Sequence, residues 1–282
     1  MRVLVLGGGG MLGHKVAQVL STRFETFATV LHPTHYPLGK VITDVNALDF
    51  SSVVRAFIQA RPDTIVNCIG IVKQRNTNAL TSIGVNSVFP HQLADLCEAT
   101  EVQMIHISTD CVFSGRKGNY TERDIPDPED LYGQTKLLGE SDRCLTIRTS
   151  IIGRDLKQIG LLEWFMSQKQ VRGYTNAIFT GFPTQVLARI IGDIITNYRH
   201  LSGLYHVASA PISKYDLLVK IRDAMDLDIE ITPYDALPCC DRSLNPARFL
   251  AATNYKIPSW DEMIAELAAD TTPYDEWRAK YA

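Results

Sequence analysis

The sequence predicts a doubly wound parallel α/β sheet over residues 1–153, followed by a smaller, less regular part over residues 154–282. Three observations carry this. Short runs rich in β-branched residues alternate with segments of helical period, and parallel strands need such crossover connections. The runs are short and rich in β-branched residues, as strands buried on both faces are. A cluster of glycines stands between the first run and the first helix, where a ligand-binding turn of such a sheet belongs.

In chain order the strands are "VLVLG" (3–7), "FETFATV" (24–30), the weaker "GKVITDV" (39–45), "TIVNCIG" (64–70), "QMIHIS" (103–108) and "LTIRTSIIG" (145–153). Between them "HKVAQVLSTR", "SSVVRAFIQA", "SVFPHQLADLCEA" and "LYGQTKLLGESD" space their apolar residues as helices do. Beyond Gly153, "GLLEWFMSQKQ" and "PTQVLARIIGDIITNY" read as helices, the second able to pack back on the first part. "GLYHVAS" reads as one more strand, "SKYDLLVKIRDAM" as a helix opened by Ser213, and "SWDEMIAELAAD" as a closing helix. No repeat, low-complexity tract or Gly/Ser linker separates the halves, so they are expected to pack closely around a cleft.

Composition narrows the function classes. A chain of 282 residues, 45% of them hydrophobic and 21% charged, buries a full core. A formal net charge of -3 with scattered Lys and Arg offers no electrostatic footprint for nucleic acid or an anionic membrane, which points to a small-molecule partner. No segment approaches the ~18 apolar residues of a membrane helix, and "MRVLVLGGGG" does not read as a secretory leader, so a cytoplasmic location is expected. Cys68, Cys97, Cys111, Cys144, Cys239 and Cys240 show no metal or redox spacing. They are expected as thiols, without disulfide or metal site, with Cys239 and Cys240 as small fillers beside Pro238.

The first motif is "GGGGMLG", in which Gly7, Gly8, Gly10 and Gly13 fit two overlapping glycine templates directly after a strand and before a helix. Glycine lets the backbone turn sharply and approach a pyrophosphate, whose charge rests on the free amides of the helix. The prediction is therefore a Rossmann-type domain binding NADP or NAD. The second strand ends "VLHPTH", without the acid typical of NAD sites or the Arg typical of NADP sites. His32 and His35 could meet a phosphate, which leans the choice slightly to NADP; Asp44 is a candidate adenine or ribose contact.

The second motif is "YGQTK", with Tyr132 and Lys136 one turn apart on the same helix face. A cation there is expected to lower the phenol's pKa toward that of a working general acid. The third is "STDCVFSG", Ser108 to Gly115, a cluster of hydroxyls, a carboxylate and a thiol where a buried strand stops. At the carboxyl end of a parallel strand such groups face the ligand crevice.

Taken in order, the glycine loop, "STDCVFSG", "YTERDIPDPEDLYGQTKLLGE", "IRTSIIG", "GFPT" and "GLYHVASAPISKYDLL" span nearly the whole chain. With them the sequence resembles an extended short-chain dehydrogenase/reductase, and within that group the dTDP-4-dehydrorhamnose reductase family. The resemblance implies an NAD(P)H-dependent reductase of a nucleotide-linked 4-keto-6-deoxy sugar, serving surface polysaccharide or deoxysugar synthesis, with a homodimer open. It implies Thr109, Tyr132 and Lys136 as the catalytic triad. It further implies Gly7, Gly10, Met11, Leu12, Gly13, Asp44, Val45, Cys68, Ile69 and Gly70 as the cofactor shell, completed by Tyr132 and Lys136. Thr109, Cys111, Val112 and Tyr132 would face the substrate, and Asp110 would be a structural cap.

Cys111 departs from that family, which usually has Tyr there, and related dehydratases carry Glu. Dehydration is thereby disfavoured. A thiol two residues past the catalytic hydroxyl resembles the catalytic Cys of the epimerase/reductase that makes GDP-fucose, which opens a bifunctional alternative. No His partner for it stands between Leu131 and Arg199, and a substrate-wall role is favoured. The regulatory subunit of methionine adenosyltransferase also resembles this family, which keeps a non-catalytic dinucleotide-binding module as a further alternative.

Overall fold

Strand β1 (Arg2–Leu6) shows why the sheet is covered on both sides: Val3 and Val5 point into one apolar layer, Leu4 and Leu6 into the other, and all four are fully buried. The computed structural model describes residues 1–32, 39–73, 78–236 and 239–279. Six further strands join β1 in a single sheet: β2 (Glu25–Thr29), β3 (Lys40–Ile42), β4 (Thr64–Asn67), β5 (Gln103–Ile107), β6 (Leu145–Arg148) and, much later in the chain, Gly203–His206. Every neighbouring pair is parallel. This is the doubly wound Rossmann-type sheet that the sequence predicts.

Helices fill both layers. α1 (Met11–Leu20) buries Leu12, Val16, Ala17 and Leu20 in the first layer, whereas α2 (Phe50–Ala60), α3 (Ala79–Ile83) and α4 (Phe89–Ala99) lie on the second, with Val53, Phe89 and Leu93 in its core. A π-helical turn, Gly84–Val88, joins α3 to α4, and α5 (Leu131–Leu138) packs against it. "LTIRTSIIG" is one run in sequence but two strands in space. After β6 the Thr149 carbonyl accepts the Asp110 amide at 3.1 Å, the Ser150 carbonyl accepts the Phe182 amide at 2.9 Å, and the chain leaves the sheet as β7 (Ile151–Ile152).

The remaining strands are short: β8 (Gln170–Tyr174), β9 (Ala177–Phe179), β10 (Phe182–Pro183), β11 (the Gly203–His206 strand already placed), β12 (Ile212–Ser213), β13 (Glu230–Tyr234) and β14 (Cys240–Asp241). β8 pairs with β13, β7 with β10, and β9 takes β12 on one side and β14 on the other. Between them run α6 (Leu161–Met166), α7 (Thr184–Asn197), α8 (Lys214–Ala224), α9 (Ala247–Thr253), α10 (Trp260–Ala268) and α11 (Tyr274–Ala279). Ser213 caps α8 by accepting the Asp216 amide at 3.0 Å, as expected, and Ser259 with Glu262 forms a capping box on α10.

Beyond Gly153 the chain returns to the sheet twice. β11 adds the seventh strand beside β6, and α7 lies against α1 with Val186, Ile190, Ile191 and Ile194 in the same core as Val16 and Leu20. The Arg23 guanidinium joins the Asp193 carboxylate at 2.7 Å across that helix pair.

Candidate active site

The crevice opens where the winding reverses, between β1 and β4, outside their carboxyl ends. Gly7 has φ +86, and a Cβ there would lie 3.0 Å from Ile69 Cγ1 and 3.2 Å from the Cys68 carbonyl carbon. The glycine loop is thus pressed against the "CIG" segment. A Cβ on Gly13 would overlap the Gly7 carbonyl, so that glycine lets α1 meet its strand. Gly10 is different: its Cβ would approach only the Gly7 carbonyl oxygen, at 3.3 Å, and otherwise face open space.

Gly10 is the N-cap of α1, with no side-chain cap and no acidic residue in the first turn. The amides of Met11, Leu12 and Gly13 therefore have no acceptor within their helix. A loop without side chains, ending in free amides, fits a dinucleotide pyrophosphate. Asp44 follows β3, exposed and left-handed at φ 60, its carboxylate accepting the Thr43 hydroxyl at 2.8 Å. The Val45 amide donates to Val30 at 3.1 Å and ties this turn to the end of β2. His32 is exposed there; His35 lies outside the described residues.

At the end of β5 the chain closes into a tight turn, Asp110–Val112, capped by Thr109, whose hydroxyl accepts the Cys111 amide at 3.1 Å. The same hydroxyl donates to Asp110 Oδ1 at 3.2 Å, with the Tyr132 phenol close beside it. The cap is thus Thr109, not Asp110 as the sequence suggested, because the β-region backbone at Thr109 aims its short side chain at the amide two residues on. Asp110 instead accepts from both neighbours, Thr109 and, at 3.5 Å, the Cys111 thiol. Val112 is fully buried in a small apolar cluster with Phe113 and Leu244, beneath the turn rather than on its open side.

α5 carries Tyr132 and Lys136 to this turn. Asp130 caps it by accepting the Gly133 amide at 2.8 Å, and a Cβ on Gly133 would overlap the Cys111 carbonyl. The glycine of "YGQTK" therefore sets how closely the phenol approaches Thr109. Lys136, 4% exposed, donates to the Ile107 carbonyl at 2.8 Å, and burial lowers its pKa to about 8. The expected lowering of the phenol by this lysine is not what the structure shows. Burial, with Cys111 and Asp110 beside it, pushes Tyr132 up, the nearby Thr109 hydroxyl opposing, while the ammonium is turned to the backbone.

Two buried networks behind these groups were not legible in the sequence. Glu140 accepts the Ser108 hydroxyl at 2.6 Å and forms a two-pronged pair with Arg148, at 2.8 and 2.7 Å, joining "STD", "YGQTKLLGE" and "IRTS". Asn86, in the π-helical turn, clasps both backbone groups of Ile71 at 2.8 and 3.0 Å and donates to Thr135 at 3.1 Å. It thereby joins the segment after β4 to α5.

Two cations from the later part of the chain face the same turn, and no spacing could have announced them. Lys214 stands near Asp110, Cys111 and Cys240, its pKa lowered by burial to about 8, with its ammonium 3.8 Å from the centre of the Phe179 ring. Arg242 donates to the Phe113 carbonyl at 2.8 Å and to the Cys111 thiol at 3.7 Å. Burial and the adjacent Asp110 push Cys111 up to about 12, so it is a thiol, not a thiolate. Cys240 packs on Gly115 and Cys239 is exposed, while Pro238 lies outside the described residues.

The sheet, the free helix terminus at its switch point and the Thr/Tyr/Lys group one strand away define a dinucleotide-dependent oxidoreductase of the extended short-chain type. The family model described as RmlD substrate binding domain matches residues 1–272, and the chain belongs to that family. It is similar to the dTDP-4-dehydrorhamnose reductase of Mycolicibacterium smegmatis, 35% identical, with 98% of this chain and 83% of that protein covered. It is also similar to methionine adenosyltransferase 2 subunit beta of Danio rerio, 28% identical over 80% of this chain and 74% of that one. The solved structure of a hypothetical dTDP-4-dehydrorhamnose reductase from Sulfolobus tokodaii superposes with a TM-score of 0.75 at 27% identity, covering 93% of this chain and 98% of that one.

Proposed function

We propose that the protein reduces the 4-keto group of a nucleotide-linked 4-keto-6-deoxy sugar in glycan biosynthesis, with NADP or NAD as cofactor. The observation that carries this reading is the joint placement of Thr109, Tyr132 and Lys136 at the strand ends beside the glycine loop. When bound, the dinucleotide supplies the hydride. Gly7, Gly10, Met11, Leu12 and Gly13 hold its pyrophosphate, with Asp44, Val45 and Cys68 to Gly70 lining the rest of its path.

Tyr132 is the proton donor. A phenol pushed upward stays protonated at neutral pH, as a donor to a developing alkoxide must be. Thr109 has one proton, which lies on Asp110, and two lone pairs, one of which takes the Cys111 amide. Its proton turns from Asp110 to the substrate oxygen. Lys136, fixed by the Ile107 carbonyl, carries the positive charge at the ribose end of the crevice. Lys214 and Arg242 offer cations for the diphosphate of the sugar nucleotide, and residues 154–282, apart from β11 and α7, form the substrate side of the cleft.

Cys111 forms part of the substrate wall. A thiol held near pKa 12, with Arg242 and Asp110 as its neighbours and no His partner among the described residues, gives no support to epimerisation. Among the described residues no helix is long and apolar enough to cross a membrane, and we place the enzyme in the cytoplasm. The test is to follow NADPH or NADH oxidation with dTDP-4-keto-6-deoxy sugars, with mass spectrometry of the nucleotide ligands that co-purify. Tight dinucleotide binding without turnover of any 4-keto sugar would overturn the reductase and favour the binding-module reading.

A further inference from the structure

We propose that Tyr274, acting through His14, positions the amide terminus of α1, so that the C-terminal segment Asp270–Ala279 sets dinucleotide affinity. The inference rests on the dinucleotide reading of the glycine loop. His14 is fully buried on α1, and its Nδ1 lies 2.9 Å from the Gly10 carbonyl oxygen, which also accepts the His14 backbone amide at 3.2 Å. Its Nε2 lies 2.9 Å from the Tyr274 hydroxyl, which stands 3.3 Å from Asp270 Oδ2. Asp270 is anchored in turn by the Lys15 ammonium at 2.7 Å and by the Thr272 hydroxyl at 2.7 Å.

Proton counting gives this chain a direction. A neutral imidazole has one N–H, and burial keeps His14 neutral, down to about 4. With that proton on Nδ1 facing the Gly10 oxygen, Nε2 must accept, and the single phenolic proton goes to it. Lys15 and Thr272 then satisfy Asp270 without the phenol. The Gly10 carbonyl, which can only accept, thus selects the Nδ1–H tautomer, and the Tyr274 hydroxyl stabilises it by donating to Nε2.

The consequence falls on the phosphate site because the Gly10–Met11 peptide is planar and trans: its N–H points opposite to its C=O. Holding the Gly10 carbonyl toward His14 aims the Met11 amide out of the helix end, toward the bound anion. The Tyr274 ring is itself held, edge-on to His14 and with Lys15, Arg154 and Arg278 at 5.3, 4.8 and 5.4 Å from its centre. Phenylalanine at 274 would keep that packing and remove only the hydroxyl.

The experiment is calorimetric titration of wild type, Tyr274→Phe, His14→Leu and His14→Gln with NADPH and with NADH, alongside steady-state kinetics. Tyr274→Phe and His14→Leu should raise Kd for the preferred dinucleotide about tenfold. His14→Gln, whose amide can donate to Gly10, should recover most of the loss. The kcat at saturating dinucleotide and the KM of the 4-keto sugar should stay within about twofold, a split that general loosening would not give. An unchanged Kd in Tyr274→Phe, or no recovery in His14→Gln relative to His14→Leu, overturns the proposal. Should Tyr274→Phe fail to fold, the two His14 variants decide it by the same criterion. Wild type that binds neither dinucleotide overturns the glycine-loop reading itself, whereas wild type that binds, with Tyr274→Phe equal to it, overturns only this inference.

Discussion

The two ends of the crevice are built from opposite materials. At the β1–β4 end the groups we propose to hold the dinucleotide are backbone amides, exposed by glycines, and the titratable side chains stand behind the loop, as His14 does. At the β5 end they are desolvated side chains: Tyr132 pushed up, Lys136 and Lys214 pushed down to about 8, and Cys111 pushed up to about 12. Backbone amides keep their N–H protons throughout the ordinary pH range, so the first end should bind equally across it. Buried ionisable groups shift because burial penalises their charged forms, so chemistry and pH dependence belong to the second end.

The sharpest way to separate the two ends is Tyr132→Phe. Turnover should fall by roughly 10²- to 10⁴-fold, the loss typical of a general acid, while the dinucleotide Kd changes little. Near-normal turnover would remove Tyr132 from the chemistry.

A pair of glycine substitutions probes the other end. Gly10→Val places its side chain in the open crevice, so it should abolish measurable dinucleotide binding while the protein melts near the wild-type temperature. Gly13→Val drives a side chain into the Gly7 carbonyl and should lower stability by at least about 1–3 kcal/mol. Equal melting temperatures for the two variants would contradict the division of labour between these glycines.

Lys136→Met tests the cost of desolvation. The lysine's pKa falls from 10.5 to about 8 on folding, so the unfolded chain binds the proton more tightly. That destabilises the native state fully below pH 8 and is relieved as pH rises toward 10.5. The shift corresponds to about 3 kcal/mol, against about 1 kcal/mol for the lost hydrogen bond to Ile107. The variant should therefore be more stable than wild type at pH 7 by about 2 kcal/mol, and this advantage should vanish above pH 10.5. A variant less stable at pH 7, by denaturant melts across pH, would show that the ammonium is not penalised.

The smallest effect is expected at Cys111. Cys111→Ser should change substrate affinity less than about threefold, since the thiol is protonated and only lines the wall. Reduction in deuterated water should leave the carbons flanking the 4-keto centre free of deuterium. Cys111-dependent deuterium there would instead assign the thiol a proton-transfer role.

What the sequence by itself determined is whatever depends on short spacing. Short β-branched-rich runs, the glycine loop and the capping serine Ser213 are local patterns, because a buried strand, a phosphate-binding turn and a helix cap each need particular residues within a few positions. The four-residue step from Tyr132 to Lys136 was legible for the same reason, but not what that step does. Tertiary structure turned the lysine to the Ile107 carbonyl and left the phenol to the field of Asp110 and Cys111. It also broke "LTIRTSIIG" into β6 and β7, since the carbonyls of Thr149 and Ser150 are claimed by Asp110 and Phe182. The strands β7, β9, β10, β12 and β14 are two or three residues long, too short to show any period. Lys214 and Arg242 reach the Thr109 turn from more than 100 positions away, Glu140 reaches Ser108 across 32, and Tyr274 reaches His14 across 260. Such pairings are fixed by how layers pack, and a one-dimensional pattern carries no record of which buried groups will face each other.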